Sequence, residues 1–234
     1  TGDALVLAKK YDVQLEHLDY VQIHPTTLYA QEGRSFLISE SVRGEGAVLR
    51  DKNGDRFVNE LLPRDLLTEE IRKQMEKDGT DFVWEDLRTI PEKELRQHFP
   101  NIIEHCREMG YDIFKECIPV VPAQHYFMGG IQVDHFSRTT MKRLYAIGET
   151  ACNGVHGKNR LASNSLLESL VFAKRAAQDM ISCADAVEHA EEDLQQLDLQ
   201  QYADVKKLQE EYKELVRAEI EKSKKRGRES CSIK

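Results

Sequence analysis

Residues 144–171 read LYAIGETACNGVHGKNRLASNSLLESLV, and no other stretch restricts the fold as much. The apolar run from Leu144 to Ile147 stops at Gly148 and Glu149, the pattern of a buried strand feeding a tight turn. Residues 153–159 then hold two glycines and two asparagines, a loop composition. Ser163, Asn164 and Ser165 precede Leu166, Leu167, Leu170, Val171, Ala173 and Ala176, a polar cap ahead of an apolar stripe at helical spacing. A strand, a glycine loop and a helix start make a βα unit. The unpaired backbone N–H groups of such a helix start suit an anion or an electron-rich ring. By itself the stretch also reads as an ordinary structural βα unit of an α/β domain.

The chain has 234 residues, 40% of them hydrophobic, which is enough for one or two cores. A charged fraction of 32% and a net charge of −8 give no basic face for nucleic acid. No apolar run approaches the ~18 residues of a membrane span. No secretory leader pattern opens the sequence. The five cysteines, Cys106, Cys117, Cys152, Cys183 and Cys231, are odd in number and form no C-x-x-C, so they read as reduced thiols of a cytoplasmic protein.

Ahead of the central stretch, Asp3 leads into Ala4, Leu5, Leu7 and Ala8, a short helix with Asp3 as its acidic N-cap. Tyr20 to Ile23 reads as a strand ending at His24, where Pro25 fixes the backbone beside the ring. Asp51 to Gly54 is a turn, and Arg56 to Val58 begins a return strand, a hairpin pattern. Pro63 opens a helix striped by Leu66, Leu67, Ile71 and Met75. Arg64 lies at its N-terminus, where a positive charge opposes the helix dipole, so helix stability does not explain it. Phe82 to Leu87 is a strand, followed by helices over 91–99 and 100–109. His98, His105 and Cys106 read as parts of helix faces and not as a metal site, since no second cluster converges on them. Pro119 and Pro122 mark an extended segment, and Gly129-Gly130 allows close backbone approach before a strand at Ile131 and Val133. After residue 183 the composition shifts to Glu, Gln and Lys. Val205, Leu208, Tyr212, Leu215, Val216 and Ile220 mark an amphipathic helix, and the basic run from Lys222 to Arg228 reads as a solvated terminus.

QIHPT around His24, SESVRGEGA from Ser39, PRD around Arg64, HYFMGG from His125 and GET…HGKNRLASNSLLE from Gly148 occur in that order. Together they resemble the succinate dehydrogenase, fumarate reductase and L-aspartate oxidase flavoprotein family over residues 1–180. The resemblance implies FAD as cofactor, with Asp3, Glu149, Asn164, Ser165 and Leu166 at the cofactor. It implies that His24, Ser39, His125 and Arg160 bind a small dicarboxylate, and that Arg64 transfers a proton along a route containing Glu40. Two arginines and two histidines would then form a cationic pocket, matched to carboxylates by guanidinium forks. The chain departs from the family pattern at Ser39, where Thr is usual, and at Gln124 and Lys158, where Ala is usual. The loop from Asn59 to Leu62 is shorter than in some relatives.

The implied fold is α/β: the C-terminal part of a discontinuous FAD-binding domain, with an inserted α+β capping domain and a helical C-terminal tail. Residues 1–24 and 119–183 would form the FAD domain, 25–118 the cap, and 184–234 the start of a helical domain. No G-x-G-x-x-G follows a strand, and Gly44-Glu45-Gly46 lacks the third glycine, so the C-terminal part of a longer protein is expected. NRLASNSLLE is closer to the amino-acid-oxidising branch than to the NRLGANSLLD usual in succinate dehydrogenases. That branch implies FAD-dependent oxidation of L-aspartate to iminoaspartate with oxygen or fumarate as acceptor, the first step of quinolinate and NAD synthesis, in the cytoplasm, with quinolinate synthase as a partner. A fumarate reductase or succinate dehydrogenase flavoprotein subunit, or a fragment that cannot hold FAD alone, are the alternatives.

Overall fold

A computed structural model of the chain describes residues 2–30, 35–184 and 200–231. It divides into two units, Thr1–Gln22 with Tyr126–Lys234, and Ile23–His125. The Glu/Gln/Lys-rich run at 185–199 lies outside the described residues.

The first unit opens with helix α1 (Asp3–Lys10), which buries Leu5, Val6 and Ala8. Its N-cap is Gly2, in the left-handed region, and Asp3 is the first helical residue. Asp3 is therefore not the cap expected above; its carboxylate lies in the first turn, where it complements the dipole. Strands β1 (Leu15–Glu16), β7 (Gly130–Gln132) and β8 (Ala151–Cys152) form a three-stranded sheet in the order β1-β7-β8, with β7 parallel to β8. Leu5, Ala8, Val13, Leu18, Ile131, Ala146 and Ala151 make its core, against which Val216 and Ile220 pack from helix α7 (Val205–Cys231).

Two glycines are fixed by that sheet. A Cβ on Gly129 would lie 2.0 Å from the carbonyl oxygen of His17, and one on Gly130 would lie 2.3 Å from that of Thr150, at φ +147°. The close backbone approach expected of this pair is thus a strand-packing requirement.

The strand expected at Leu144–Ile147 is only an isolated bridge between Tyr145 and Arg138. The regular strand lies later, at Ala151–Cys152, after a 3-10 turn over Gly148–Thr150. Helix α6 (Asn164–Cys183) starts as expected, but Ser163 is left-handed at φ 65° and makes no side-chain cap bond. The buried face of α6 carries Glu168, Phe172, Ala176 and Asp179, whereas Leu166, Leu167 and Leu170 are exposed. The two acids tolerate burial because each has donors: Asn153 Nδ2 for Glu168, and Arg138 and Tyr145 for Asp179.

The second unit contains a five-stranded sheet in the order β3-β2-β6-β5-β4, formed by β2 (Val21–Leu28), β3 (Phe36–Leu37), β4 (Val48–Arg50), β5 (Val83–Asp86) and β6 (Ile118–Phe127). Strand β2 does not stop at His24 but continues through Pro25 to Leu28. Strand β3 pairs with it only at Thr27 and Leu28, beyond the proline. The expected 48–58 hairpin reduces to one bridge, Arg50 to Arg56, because β4 pairs along its length with β5 instead. Helices α2 (Glu40–Gly44), α3 (Arg64–Asp78), α4 (Glu92–His98) and α5 (Pro100–Glu108) complete the unit. Its core joins Leu28, Ile38, Leu49, Leu67, Ile71 and Ile118 with their neighbours. Among the described residues no helix is long and apolar enough to cross a membrane.

Candidate functional site

In the second unit the sequence brings one cluster together at two helix starts. Ser39 is the N-cap of α2, and its hydroxyl oxygen accepts from the Ser41 N–H at 3.3 Å. Glu40 follows as the first residue of α2, and Arg64 is the first residue of α3. Arg64 donates to Glu40 through Nε at 2.9 Å and also through Nη2. The carboxylate offsets the cost of a positive charge at a helix N-terminus. Burial raises the Glu40 carboxyl, but the bonded Arg64 guanidinium and the nearby Arg43 outweigh it and hold it below the usual carboxylate range.

His24 sits inside the same unit and is 1% exposed. Its Nε2–H donates to the Ile38 carbonyl at 2.6 Å, and Nδ1 has no hydrogen-bond partner. Burial pushes the imidazole down to about 4; the Ile38 carbonyl opposes this, while Arg43, Arg64 and His125 reinforce it. His24 is therefore a neutral ring at neutral pH, a correction to the expectation that both histidines supply positive charge. His125 is exposed and lies edge-on to His24, with ring centroids 5.5 Å apart.

Sequence reasoning missed Arg43. It is 3% exposed and donates through Nη1 to the Thr26 hydroxyl, which in turn lies 3.5 Å from both the Ile38 carbonyl and His24 Nε2. The available signal was its place in RGEGA, one helical turn from Glu40 and on the same helix face. Arg43 and Arg64 thus supply the positive charge around Glu40 and His24.

The first unit holds the remaining expected residues. Arg160 is 6% exposed; its guanidinium lies 4.5 Å from the centre of the Tyr126 ring and donates to the Ser165 hydroxyl at 3.2 Å. Its backbone carbonyl accepts from Gln22 Nε2 at 2.7 Å, and the same nitrogen donates to Asn159 at 3.0 Å. Gln22 therefore pins the HGKNR loop, and Tyr126 forms a platform for its arginine. The Tyr126 phenol is pushed up to about 12, chiefly by burial and then by Glu168 and Glu149, against Arg160. His156 stands edge-on to Tyr126 and 3.9 Å from Glu168, which is buried beneath the loop.

Glu149 is exposed on the 3-10 turn and accepts the Phe127 N–H at 2.9 Å. Asn164, Ser165 and Leu166 form the first turn of the 20-residue α6, with no side chain capping its N–H groups. Asp3 is exposed at the start of α1. These groups fit part of a flavin nucleotide: a carboxylate acceptor suits its hydroxyls, and uncapped helix N–H groups beside an exposed leucine suit its electron-rich ring. No group of three or more metal-ligating residues occurs among the described residues. His98 meets Glu45 at 2.9 Å, His105 stacks on Phe36, and Cys106 is buried in the core.

Residues 1–166 match the family described as FAD binding domain. The chain is 50% identical over 204 residues to a Clostridium perfringens protein named L-aspartate oxidase, covering 86% of this chain and 46% of that protein. It is 45% identical over 187 residues to a Pseudomonas aeruginosa protein of the same name, covering 77% of this chain and 35% of that one. A solved E. coli quinol fumarate reductase mutant is similar with a TM-score of 0.72 and 36% identity, over 81% of this chain and 36% of that one. The chain thus spans less than half the length of these relatives.

Proposed function

This chain belongs to the FAD-binding domain family, and on that premise we propose that it is the part of a flavoprotein oxidase that binds L-aspartate and moves its proton. In the whole protein the reaction is oxidation of L-aspartate to iminoaspartate, with oxygen or fumarate as acceptor, in the cytoplasm and at the entry to quinolinate and NAD synthesis. The unit Ile23–His125 acts as the capping domain, and the other unit as part of the FAD domain. Quinolinate synthase is the partner that would consume the unstable imine.

The observation that carries this reading is the Glu40–Arg64 pair at two helix starts, with buried Arg43 beside it. Bound FAD supplies hydride acceptance. Arg64 hands a guanidinium proton to Glu40 as it takes one from the substrate nitrogen or carbon, so its charge is restored and Glu40, whose depressed pKa keeps it ionised beforehand, ends protonated. His24, neutral and with its Nε2 proton committed to the Ile38 carbonyl, shapes the site beside His125, and Ser39 and His125 supply the donors to one carboxylate on the same unit. Arg160, held over Tyr126, is a guanidinium fork suited to a carboxylate.

The test is to incubate the complete protein with L-aspartate or succinate and follow peroxide and flavin bleaching. Peroxide from L-aspartate is expected. Bleaching by succinate and not by L-aspartate would move the protein to the fumarate reductase and succinate dehydrogenase branch, the reading favoured by the structural likeness to the quinol fumarate reductase.

A further inference from the structure

Glu85 lies on β5 with a side chain that is completely buried, and neither carboxyl oxygen has a hydrogen-bond partner. A carboxylate in that state is costly unless it is paired or protonated. The strands on either side present Leu49 from β4 and Ile118 from β6 in the paired register. Helix α3, packed on the same strand, buries Leu67, Thr68, Ile71 and Gln74. The charged or titratable groups within electrostatic reach are Arg43 from α2, Glu60 from the loop before α3, and the Cys106 thiol from α5. Glu60 is already engaged, since it accepts from the Leu49 N–H and from Arg56. Arg43 has a matching deficit: its Nε is buried without a partner.

We propose that Glu85 is a positioning residue for the dicarboxylate: its sealed carboxyl is kept uncharged beside Arg43, so that Arg43 lends its full positive charge to the cluster around Glu40 and Arg64. The inference rests on the dicarboxylate reading above. Ionisation of Glu85 would turn Arg43 into half of an internal ion pair and cancel its field at the substrate. Burial raises the Glu85 carboxyl to about 8, with Arg43 opposing and Glu60 adding to the rise. The change therefore falls just above neutral pH, where His24 is already neutral and Cys106, pushed up to about 12, remains a thiol.

The experiment uses the full-length, FAD-loaded protein and measures succinate binding from the perturbation of flavin absorbance, at pH values well below and well above 8. Wild type is expected to bind about tenfold more weakly at the high pH, the order of effect of one added negative charge acting through an effective dielectric of about 20. Glu85→Gln, of similar shape and always neutral, should not show that loss. Glu85→Leu, which also removes the unpartnered oxygens, should behave as Glu85→Gln does and guards against a fold defect in either variant. Infrared spectra at neutral pH should contain a protonated-carboxyl band in wild type that Glu85→Gln lacks. Parallel binding curves in all three proteins, or the absence of that band in wild type, overturn the inference while leaving the function intact. Failure of succinate and L-aspartate alike to perturb the flavin overturns the functional reading and this inference with it.

Discussion

Arg64 Nε donates to Glu40 Oε2 at 2.9 Å, and each residue is the first of its helix. The pair reconciles a charge that opposes the α3 dipole with a stable helix start, and it aligns two groups suited to exchanging a proton. In the complete protein Arg64→Leu should lower turnover by roughly a hundredfold or more, as expected for loss of a general acid–base group. The melting temperature should change little, because the substitution also removes an unfavourable helix-terminal charge. Steady-state turnover and calorimetry on the same preparation decide it, and near-normal turnover would remove Arg64 from the proton route.

His24 should stay neutral, with its proton on Nε2, as pH is lowered until about 4. Its folded value lies below the 6.5 of the free side chain, so between those values the unfolded chain binds more protons than the folded one. The contribution of His24 to stability is thus complete above about 6.5 and is lost as pH falls toward about 4. Urea midpoints through this window should fall more steeply in wild type than in His24→Gln, which can still donate to the Ile38 carbonyl but does not titrate. Histidine NMR reads the tautomer directly; a charged ring at pH 6 contradicts the assignment.

Tyr126 should matter as a ring and not as a phenol. Its face supports the Arg160 guanidinium at 4.5 Å, and its hydroxyl stays protonated at neutral pH. Tyr126→Phe should leave dicarboxylate affinity nearly unchanged, whereas Tyr126→Leu should weaken it roughly two- to thirtyfold, the range of a cation–π contact. Equal losses in the two variants would assign the effect to the hydroxyl.

Gly129→Ala should be among the most damaging single changes in the first unit. The added carbon would meet the His17 carbonyl oxygen at 2.0 Å, and relief requires moving backbone. A loss of about 3 kcal/mol or more is expected, read as a shift in the urea midpoint at constant slope. Gly54→Ala is a useful contrast: a Cβ there meets nothing within 4 Å, so its cost comes only from the positive φ of 88°.

Local pattern determined much of this protein. Helical spacing marked α3, α6 and α7, proline marked the starts of α3, α4 and α5, the glycine pair marked the β6–β7 connection, and the motif order pointed to a FAD-binding flavoprotein. These features are legible because dihedral preference and side-chain periodicity act over a few residues. The dipole argument at Arg64 likewise needed only its position at a helix start, and the structure supplied Glu40 as the compensating group.

What only the tertiary structure decided is what each side chain loses or keeps when water is removed. His24 looked like a cation in QIHPT, but complete burial against the Ile38 carbonyl makes it neutral. The leucine stripe after Ser163 looked like the core face of α6, yet this chain buries Glu168 and Asp179 instead, because Asn153, Arg138 and Tyr145 provide partners from distant positions. The strand expected at Leu144 forms at Ala151, where β7 offers a parallel partner. Arg43 and Glu85 sit 42 residues apart by number, and no periodicity relates them. Their electrostatic coupling arises from packing, since desolvation and Coulomb interaction depend on which groups the fold brings together and how completely it excludes water.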